Sequence, residues 1–547
     1  MRKINLFLFL ILVLAVFLRF FQLGQNPPSL TWDEAAWGYN AYALGIDSKD
    51  EFGKFLPITY LESFGDFKPP VYAYLSVLPV KIFGLNEFST RFASALLGSL
   101  TVFLTFLLTK DLFSDGTRKE DRYVKLGLTA SFILAISPWH ILLSRAAFEA
   151  NVATFFIVLG VYLFLRAKYI PWLLPLSVIS FVISMYTFNT ARIVVPILLV
   201  GLLIKCIKNF LKFKKQLLAS FVIGVAIVVP LLLFLVTPQA KLRFQEVNIF
   251  SDINVIERIN QETKNDYNSV WSKIIHNRRF AYTVEYLRHY FDNFNPSFLF
   301  IKGDGNPKFS VQDVGQMYLW EIPFFIAGIF LLIRKKEGGW WLVFYWLIIS
   351  IIPAATARET PHALRIESSL PTFQILSAFG LYSFISFLNF RLKNMILKRT
   401  AILMLFIIIA FNLFYFLNNY FLHYPRLYSS EWQYGYKDAI LYIKQVQTQY
   451  DKVYFTNVLG RPYIYLLFYS QYNPQDFRSE ANIQREVFGF VHINDFGKYS
   501  FPKDVKANRD NRKNLYFDVP YNIPGEAKIL KTFYLLNGEI SLVAYTI

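Results

Sequence analysis

The first forty residues, MRKINLFLFLILVLAVFLRFFQLGQNPPSLTWDEAAWGYN (1–40), set an acidic pair, Asp33-Glu34, shortly beyond an apolar run from Ile4 to Phe21. Met1-Arg2-Lys3 precede the run, so it reads as a helix crossing a membrane, with the acids emerging on the far side. Carboxylates beside hydrocarbon are costly, and a chain that keeps them there generally uses them. No small-residue cleavage site follows; Arg19 and Gln22 do, so the run is expected to be a retained anchor.

Outward from that run, the same pattern recurs. Hydrophobic residues make up 54% of 547 positions and the mean hydropathy is +0.35. A hydrocarbon core of about 30 Å takes roughly 20 apolar residues in a helix. Long unbroken runs of that kind exclude a barrel. The net charge of +18 suggests phosphate binding, but its distribution argues against nucleic acid. The cations gather between apolar runs: Arg118, Lys119, Arg122 and Lys125; Lys205, Lys208, Lys212, Lys214 and Lys215; Arg334 to Lys336; Arg391, Lys393, Lys398 and Arg399. That is the positive-inside bias of a polytopic membrane protein. A single cysteine, Cys206, rules out an intrachain disulfide.

Hydropathy places spans near 4–22, 89–109, 126–143, 150–167, 171–188, 192–210, 217–236, 317–333, 340–356, 367–389 and 399–420. A further apolar stretch, Val71 to Leu85, is short and interrupted by Pro79 and Lys81. Counted as a span it would move every later basic cluster to the outside, so it is expected to be interfacial or re-entrant. Eleven spans then leave every basic cluster cytoplasmic. The outer face receives 24–88 (the first outer loop), 144–150, 237–316 (a long outer loop), 357–366 and the tail from 421. Two domains are expected, 1–420 in the membrane and 421–547 as a small extracytoplasmic α/β domain. In the tail Lys437–Gln449 suits an amphipathic helix, Lys452–Phe455 a strand, and Asn537-Gly538 a hairpin turn.

Sorted by side, the polar residues that apolar packing does not explain fall on one face. They are Asp33 and Glu34; Asp66 and Lys68; Arg145 and Glu149; Asn189 and Arg192; and Arg358, Glu359, His362 and Arg365. Cations at that depth suit the phosphate of a lipid, and a carboxylate beside it suits a general base toward a hydroxyl. Transfer of a sugar from a lipid phosphate needs both, since stabilising developing charge is the larger part of catalysis. Plainer roles exist for each: an N-cap for Asp33 or Glu34, snorkelling for Lys68, and an (i, i+4) helix pair for Arg145 with Glu149. Arg91, four after Glu87, reads as structural. Trp32 and Trp37, flanking the acids, could stack on a sugar ring. Neither a zinc-type Cys/His cluster nor a nucleotide-binding glycine motif is present. A divalent cation could be held by Asp33, Glu34 and Glu149, although carboxylates alone specify a metal poorly.

The acidic pair in a long first loop, then Lys68-Pro69-Pro70 and Glu87-Phe88-Ser89-Thr90-Arg91-Phe92, resembles the PMT-like glycosyltransferases of the GT-C superfamily. These include the protein O-mannosyltransferases of glycosyltransferase family 39 and the bacterial lipid A aminoarabinose transferases. Ser144 to Asn151, Gly303-Asp304-Gly305-Asn306-Pro307 and Pro361-His362-Ala363-Leu364-Arg365 extend the resemblance over about residues 1–420. It implies an inverting transferase using a polyprenyl-phosphate or dolichyl-phosphate sugar. It also implies Asp33 as base with Glu34 beside it, Lys68 as phosphate ligand, and Glu149 at a position that is Asp in some members. His362 and Arg365 match the late-loop region that approaches the donor phosphate. The inserted MIR domain of the mannosyltransferases is absent, and the tail matches no motif.

The expectation is therefore an α-helical polytopic plasma-membrane protein of GT-C fold, with its catalytic face and tail extracytoplasmic. It would transfer a sugar from a polyprenyl-phosphate donor to an outer-face acceptor. Asp33 and Glu34 would be catalytic, and Lys68, Arg145, Glu149, His362 and Arg365 would bind substrate. The competing class is a transporter or flippase for a lipid-linked anion. Transporters favour midplane charges and repeat symmetry, neither of which the sequence offers.

Overall fold

A computed structural model describes residues 2–114, 120–241, 248–251, 253–485, 491–506 and 512–547. Arg118 and Lys119 of the first basic cluster lie outside the described residues. Each of the eleven expected spans meets a helix, but length separates them. Glu87–Phe113, Glu149–Arg166, Ala191–Phe210, Lys214–Leu235, Thr372–Arg391 and Met395–Leu427 are each long and apolar enough to cross a bilayer. Asp121–Ile136 and Pro138–Arg145 make a seventh span if counted together across their 56° bend. The bend falls where Pro138, with no N–H to donate, starts the second helix. Asn5–Phe20, Leu173–Met185 and Trp340–Thr356 are apolar but shorter, and Ile322–Lys335 has 14 residues.

Eleven crossings are thus not reached by helix length alone. The physical reason is that several apolar stretches spend residues on turns: the one expected at 317–333 begins with a 3₁₀ turn, Leu319–Glu321, before its α-helix. Val71–Phe83, the stretch expected to be interfacial or re-entrant, is a 13-residue helix with Pro79 inside it, about 20 Å long. The chain is a multi-pass helical membrane protein.

The chain divides into two compact units: Met1–Leu18, Leu97–Leu143 and Ala150–Phe416 in one; Arg19–Leu96, Ser144–Glu149 and Leu417–Ile547 in the other. The first is almost wholly helical. One helix pair of this unit, Ile322–Lys335 against Thr372–Arg391, meets backbone to backbone at Gly328 and Gly380. A Cβ on Gly380 would lie 1.8 Å from the Phe324 carbonyl oxygen. Small residues let membrane helices approach this closely, where van der Waals contact replaces the missing hydrophobic drive. Gly380→Val is therefore expected to force the pair apart at a cost above the usual 1–3 kcal/mol of overpacking, read as a lowered thermal transition of the detergent-purified protein. Unchanged melting would remove this contact from the stability argument.

The second unit joins the first long connection to the tail. Helix Trp32–Asp47, the hairpin β1 (Leu61–Ser63) and β2 (Asp66–Lys68), and helix Val71–Phe83 come from the connection. The tail supplies helices Tyr436–Val446, Pro462–Ser470 and Pro474–Glu480 and strands β3 (Lys452–Phe455), β4 (Asn482–Arg485), β5 (Val491–Phe496), β6 (Tyr499–Ser500), β7 (Asn514–Asp518), β8 (Lys528–Tyr534) and β9 (Ile540–Thr546). These strands form one sheet in the order β4-β5-β6-β3-β7-β9-β8, in which β3 runs parallel to β6 and β7 and the other pairs are antiparallel. The turn at Asn537-Gly538 joins β8 to β9, with Gly538 at φ +91°. The helix expected at Lys437–Gln449 ends at Val446 and finishes in a 3₁₀ turn, Gln447–Gln449.

One hydrophobic core serves both pieces. Leu30, Ala35, Ala36, Tyr39 and Phe64 of the connection pack with Tyr436, Ile440, Phe455, Ile464, Phe468, Phe477, Phe517 and Phe533 of the tail. Around it, tail cations meet acids of the connection and the helix after it: Arg478 with Asp47 at 2.5 Å, Arg485 with Glu62 at 2.5 Å, and Lys437 with Glu87 at 2.7 Å.

Candidate active site

The acidic pair begins a helix, and that start decides which acid is available. Thr31 caps helix Trp32–Asp47: its hydroxyl accepts from the Glu34 N–H at 3.2 Å, and the Glu34 carboxylate accepts from the Thr31 N–H at 3.0 Å. This is a capping box. It fixes the Glu34 side chain inward, whereas Asp33, one position earlier and about 100° round the helix, points elsewhere.

Glu34 is fully buried and fully engaged. Arg91 donates to its two oxygens at 2.8 and 3.2 Å, and the Ala147 N–H donates at 2.9 Å. Arg91 in turn uses every donor it has. Its remaining N–H groups reach the carbonyls of Leu23 (3.2 Å), Pro27 (2.9 Å) and Ser29 (2.5 Å). The pair thus ties residues 23–34 to the helix that begins at Glu87 and to the turn at 147.

Asp33 is different. Its side chain is 52% exposed and accepts a hydrogen bond from the Lys68 ammonium, which is 11% exposed. Lys68 is delivered by the hairpin, whose two turn residues, Phe64 (φ +61°) and Gly65 (φ +82°), both have positive φ. That is the backbone a two-residue hairpin needs to match strand twist. The Lys68 ammonium lies 5.4 Å from the Trp37 ring and 5.1 Å from the Phe64 ring. Glu149, opening helix Glu149–Arg166, stands close enough to interact with the charges of Lys68, Asp33 and Asp66.

Arg145 is buried in the same unit. It donates to the Asn26 carbonyl at 2.8 Å and the Tyr420 hydroxyl at 3.2 Å, with its guanidinium 4.9 Å from the Phe421 ring. Five of the seven expected site residues (Asp33, Glu34, Lys68, Arg145 and Glu149) therefore share one unit.

His362 and Arg365 belong to the other unit, on a loop held by Asp304. The Asp304 carboxylate accepts from the Ala363 N–H at 2.6 Å and the Asn306 N–H at 2.8 Å. The Trp139 indole donates to the Ala363 carbonyl at 3.2 Å, and Arg365 donates to the Glu359 carbonyl at 2.9 Å. The His362 ring packs on Phe309 at 4.8 Å. Burial pushes the His362 imidazole down to about 3 and the Asp304 carboxyl up to about 6. His362 is uncharged at neutral pH, so what it can bring to a phosphate is a ring N–H rather than a cation.

These shifts act on stability with opposite signs. The stability His362 contributes is whole above its unfolded value near 6.5 and is lost as pH falls toward 3. That of Asp304 is whole below its ordinary value of 3.8 and is lost as pH rises through about 6. Lowering pH from 7.5 to 5.5 should therefore destabilise the wild type more than His362→Gln, by about 1 kcal/mol for the single unit between 6.5 and 5.5. Equal losses in thermal melts at the two pH values would place the His362 charge elsewhere.

Sequence reasoning missed Asp304 as the residue holding the late loop, although it lies in the quoted Gly303 to Pro307 stretch. It also missed that Arg91 serves Glu34, 57 positions away, rather than Glu87, which spacing had offered as its partner. Among the described residues no group of three or more His, Cys, Asp or Glu could hold a metal ion.

These elements define a multi-pass membrane protein with an exposed carboxylate–ammonium pair in its first long connection. Residues 9–248 match the family model described as dolichyl-phosphate-mannose-protein mannosyltransferase (PMT). A protein of Aquifex aeolicus (strain VF5), described as uncharacterized, is 32% identical over 213 residues, spanning 38% of this chain and 39% of that protein's length. The solved structure of ArnT from Cupriavidus metallidurans bound to undecaprenyl phosphate aligns at a TM-score of 0.56 and 11% identity, covering 98% of this chain and 97% of that one. Its apo state gives 0.55 and 12%, covering 100% and 97%. The apo Archaeoglobus fulgidus oligosaccharyltransferase gives 0.51 and 13%, covering 85% of this chain and 64% of that one. Residues 9–248 are thus similar to the PMT family, and the chain shares the overall fold of the ArnT structures.

Proposed function

We propose that the protein is an inverting glycosyltransferase that moves a sugar from a polyprenyl-phosphate donor to an acceptor on the outer side of the membrane. The observation that carries this reading is the Asp33–Lys68 pair, a half-exposed carboxylate held against an ammonium among aromatic rings. In the reaction Asp33 accepts the proton of an acceptor hydroxyl as its oxygen bonds to the sugar's anomeric carbon. The bond from that carbon to the phosphate oxygen breaks, and polyprenyl phosphate departs with the electron pair. Lys68 shifts from Asp33 to the phosphate as charge develops there, which frees the carboxylate.

Glu149 orients the acceptor or Lys68, and Arg145 serves the donor phosphate. Glu34 serves the site by holding Asp33 in place rather than by touching substrate. ArnT, with the same fold, binds undecaprenyl phosphate, which supports a polyprenyl-linked donor. Eleven crossings, counting the shorter helices, put the first long connection and the tail on the outer side, and the basic clusters support that orientation. We keep residues 1–420 as the catalytic part in the membrane and 421–547 as an extracytoplasmic α/β domain that recognises an acceptor or caps the outer loops.

The test is release of polyprenyl phosphate from a panel of labelled polyprenyl-phosphate sugars by purified protein, with membrane extract as acceptor source. Release by the wild type and its loss in Asp33→Asn would support the reading. No release from any donor by folded protein would overturn it.

A further inference from the structure

The loop leading to helix Pro462–Ser470 is one of the places where the tail touches the Asp33–Lys68 pair's surroundings; the Val491 N–H also donates to the Phe64 carbonyl at 3.1 Å and the Tyr463 ring lies 5.9 Å from the Phe64 ring. Gly460, at φ +130°, lies so close to Trp32 that a Cβ there would be 3.1 Å from the indole. Arg461 lays its guanidinium 4.3 Å from the Phe64 ring centre and donates to the Phe64 carbonyl at 3.4 Å. Trp32 precedes Asp33, and Phe64 is the ring that also receives the Lys68 ammonium. Two cations of distant sequence origin therefore share one buried aromatic residue. Phe64 holds a left-handed backbone that a bulky residue adopts at a cost, so the hairpin keeps that ring there against local preference.

Arg461 also stands out by its charge. Arg478, Arg485 and Lys437 of the tail each meet a carboxylate. Among the described residues no carboxylate pairs with Arg461. A guanidinium offers five donors, and the single bond to the Phe64 carbonyl leaves most of them for a ligand. A half-buried cation with no carboxylate partner is electrostatically unfavourable until an anion arrives.

We propose that Arg461 is a substrate-binding residue: with Lys68 it grips a phosphate, that of the lipid-linked donor, so the tail completes the donor site. This rests on the glycosyltransferase reading above. Arg461 supplies the planar, fork-shaped donors suited to phosphate oxygens, and Lys68 supplies a point charge.

The test measures binding of undecaprenyl phosphate and of undecaprenol to the purified full-length protein, for wild type, Arg461→Ala, Arg461→Lys and the exposed tail control Lys503→Ala. The expected result is a tenfold or greater rise in Kd for undecaprenyl phosphate with Arg461→Ala. Arg461→Lys should give a smaller rise, undecaprenol should be indifferent to all variants, and Lys503→Ala should match wild type. In turnover, Arg461→Ala should raise the donor KM while kcat stays within about threefold. Equal binding by wild type and a folded Arg461→Ala would overturn the assignment. Displacement of the lipid by inorganic phosphate from wild type but not from Arg461→Ala would make this a site for free phosphate and overturn the lipid assignment. Failure of the wild type itself to bind undecaprenyl phosphate would overturn the donor reading, and this proposal with it.

Discussion

Asp33→Asn should abolish sugar transfer, by about 10²–10⁴-fold or more, and leave the protein as stable as the wild type. Its neighbour should behave in the opposite way. Glu34→Gln removes one charge of a pair that is buried on both sides and strands Arg91 among the carbonyls of residues 23–29. Breaking a buried pair from one side costs about 3–5 kcal/mol, a large part of what holds most domains together. The expected outcome is poor yield of folded protein, not a folded and inactive one. Arg91→Leu should show the same loss for the same reason. Paired assays of polyprenyl phosphate release and thermal melting decide the matter. A stable, inactive Glu34→Gln alongside an active Asp33→Asn would exchange the roles of the two acids.

Removing the tail at residue 420 should cost the protein its fold rather than only an acceptor contact. The cut would uncover Leu30, Tyr39, Phe64 and Val80, all buried in a core that the tail largely builds. At about 2 kcal/mol for each large side chain returned to water, the loss is comparable to the whole stability of a domain. The truncated chain should aggregate on size exclusion. By contrast, Arg485→Ala, which removes a half-exposed ion pair, should change melting by no more than about 1 kcal/mol. A monodisperse, active truncation would show that the connection holds its shape unaided and would return the tail to a purely peripheral part.

The sequence made the class of protein legible because hydrocarbon imposes a local rule: each span must be apolar along its own length. Hydropathy therefore met a helix at each expected span. It did not deliver the number of helices long enough to cross, since 3₁₀ turns and the break at Pro138 are set by packing rather than by average hydropathy. The strand at Lys452–Phe455 and the turn at Asn537-Gly538 were legible for the same local reason, namely β-branched and aromatic runs punctuated by a glycine that tolerates positive φ.

For the site, the residue types were readable along the chain: an acidic pair after the first span, a lysine before two prolines, and an arginine–glutamate step at 145–149. What each can do followed from how the chain packs. Asp33 and Glu34 are adjacent in the chain, and a capping box turned one to solvent and the other to Arg91. Partners such as Arg91 for Glu34, or Arg461 for Phe64, lie 57 and 397 positions apart, where spacing carries no signal. Charge pairing depends on distance in space and on exclusion of water, and both are properties of the packed chain.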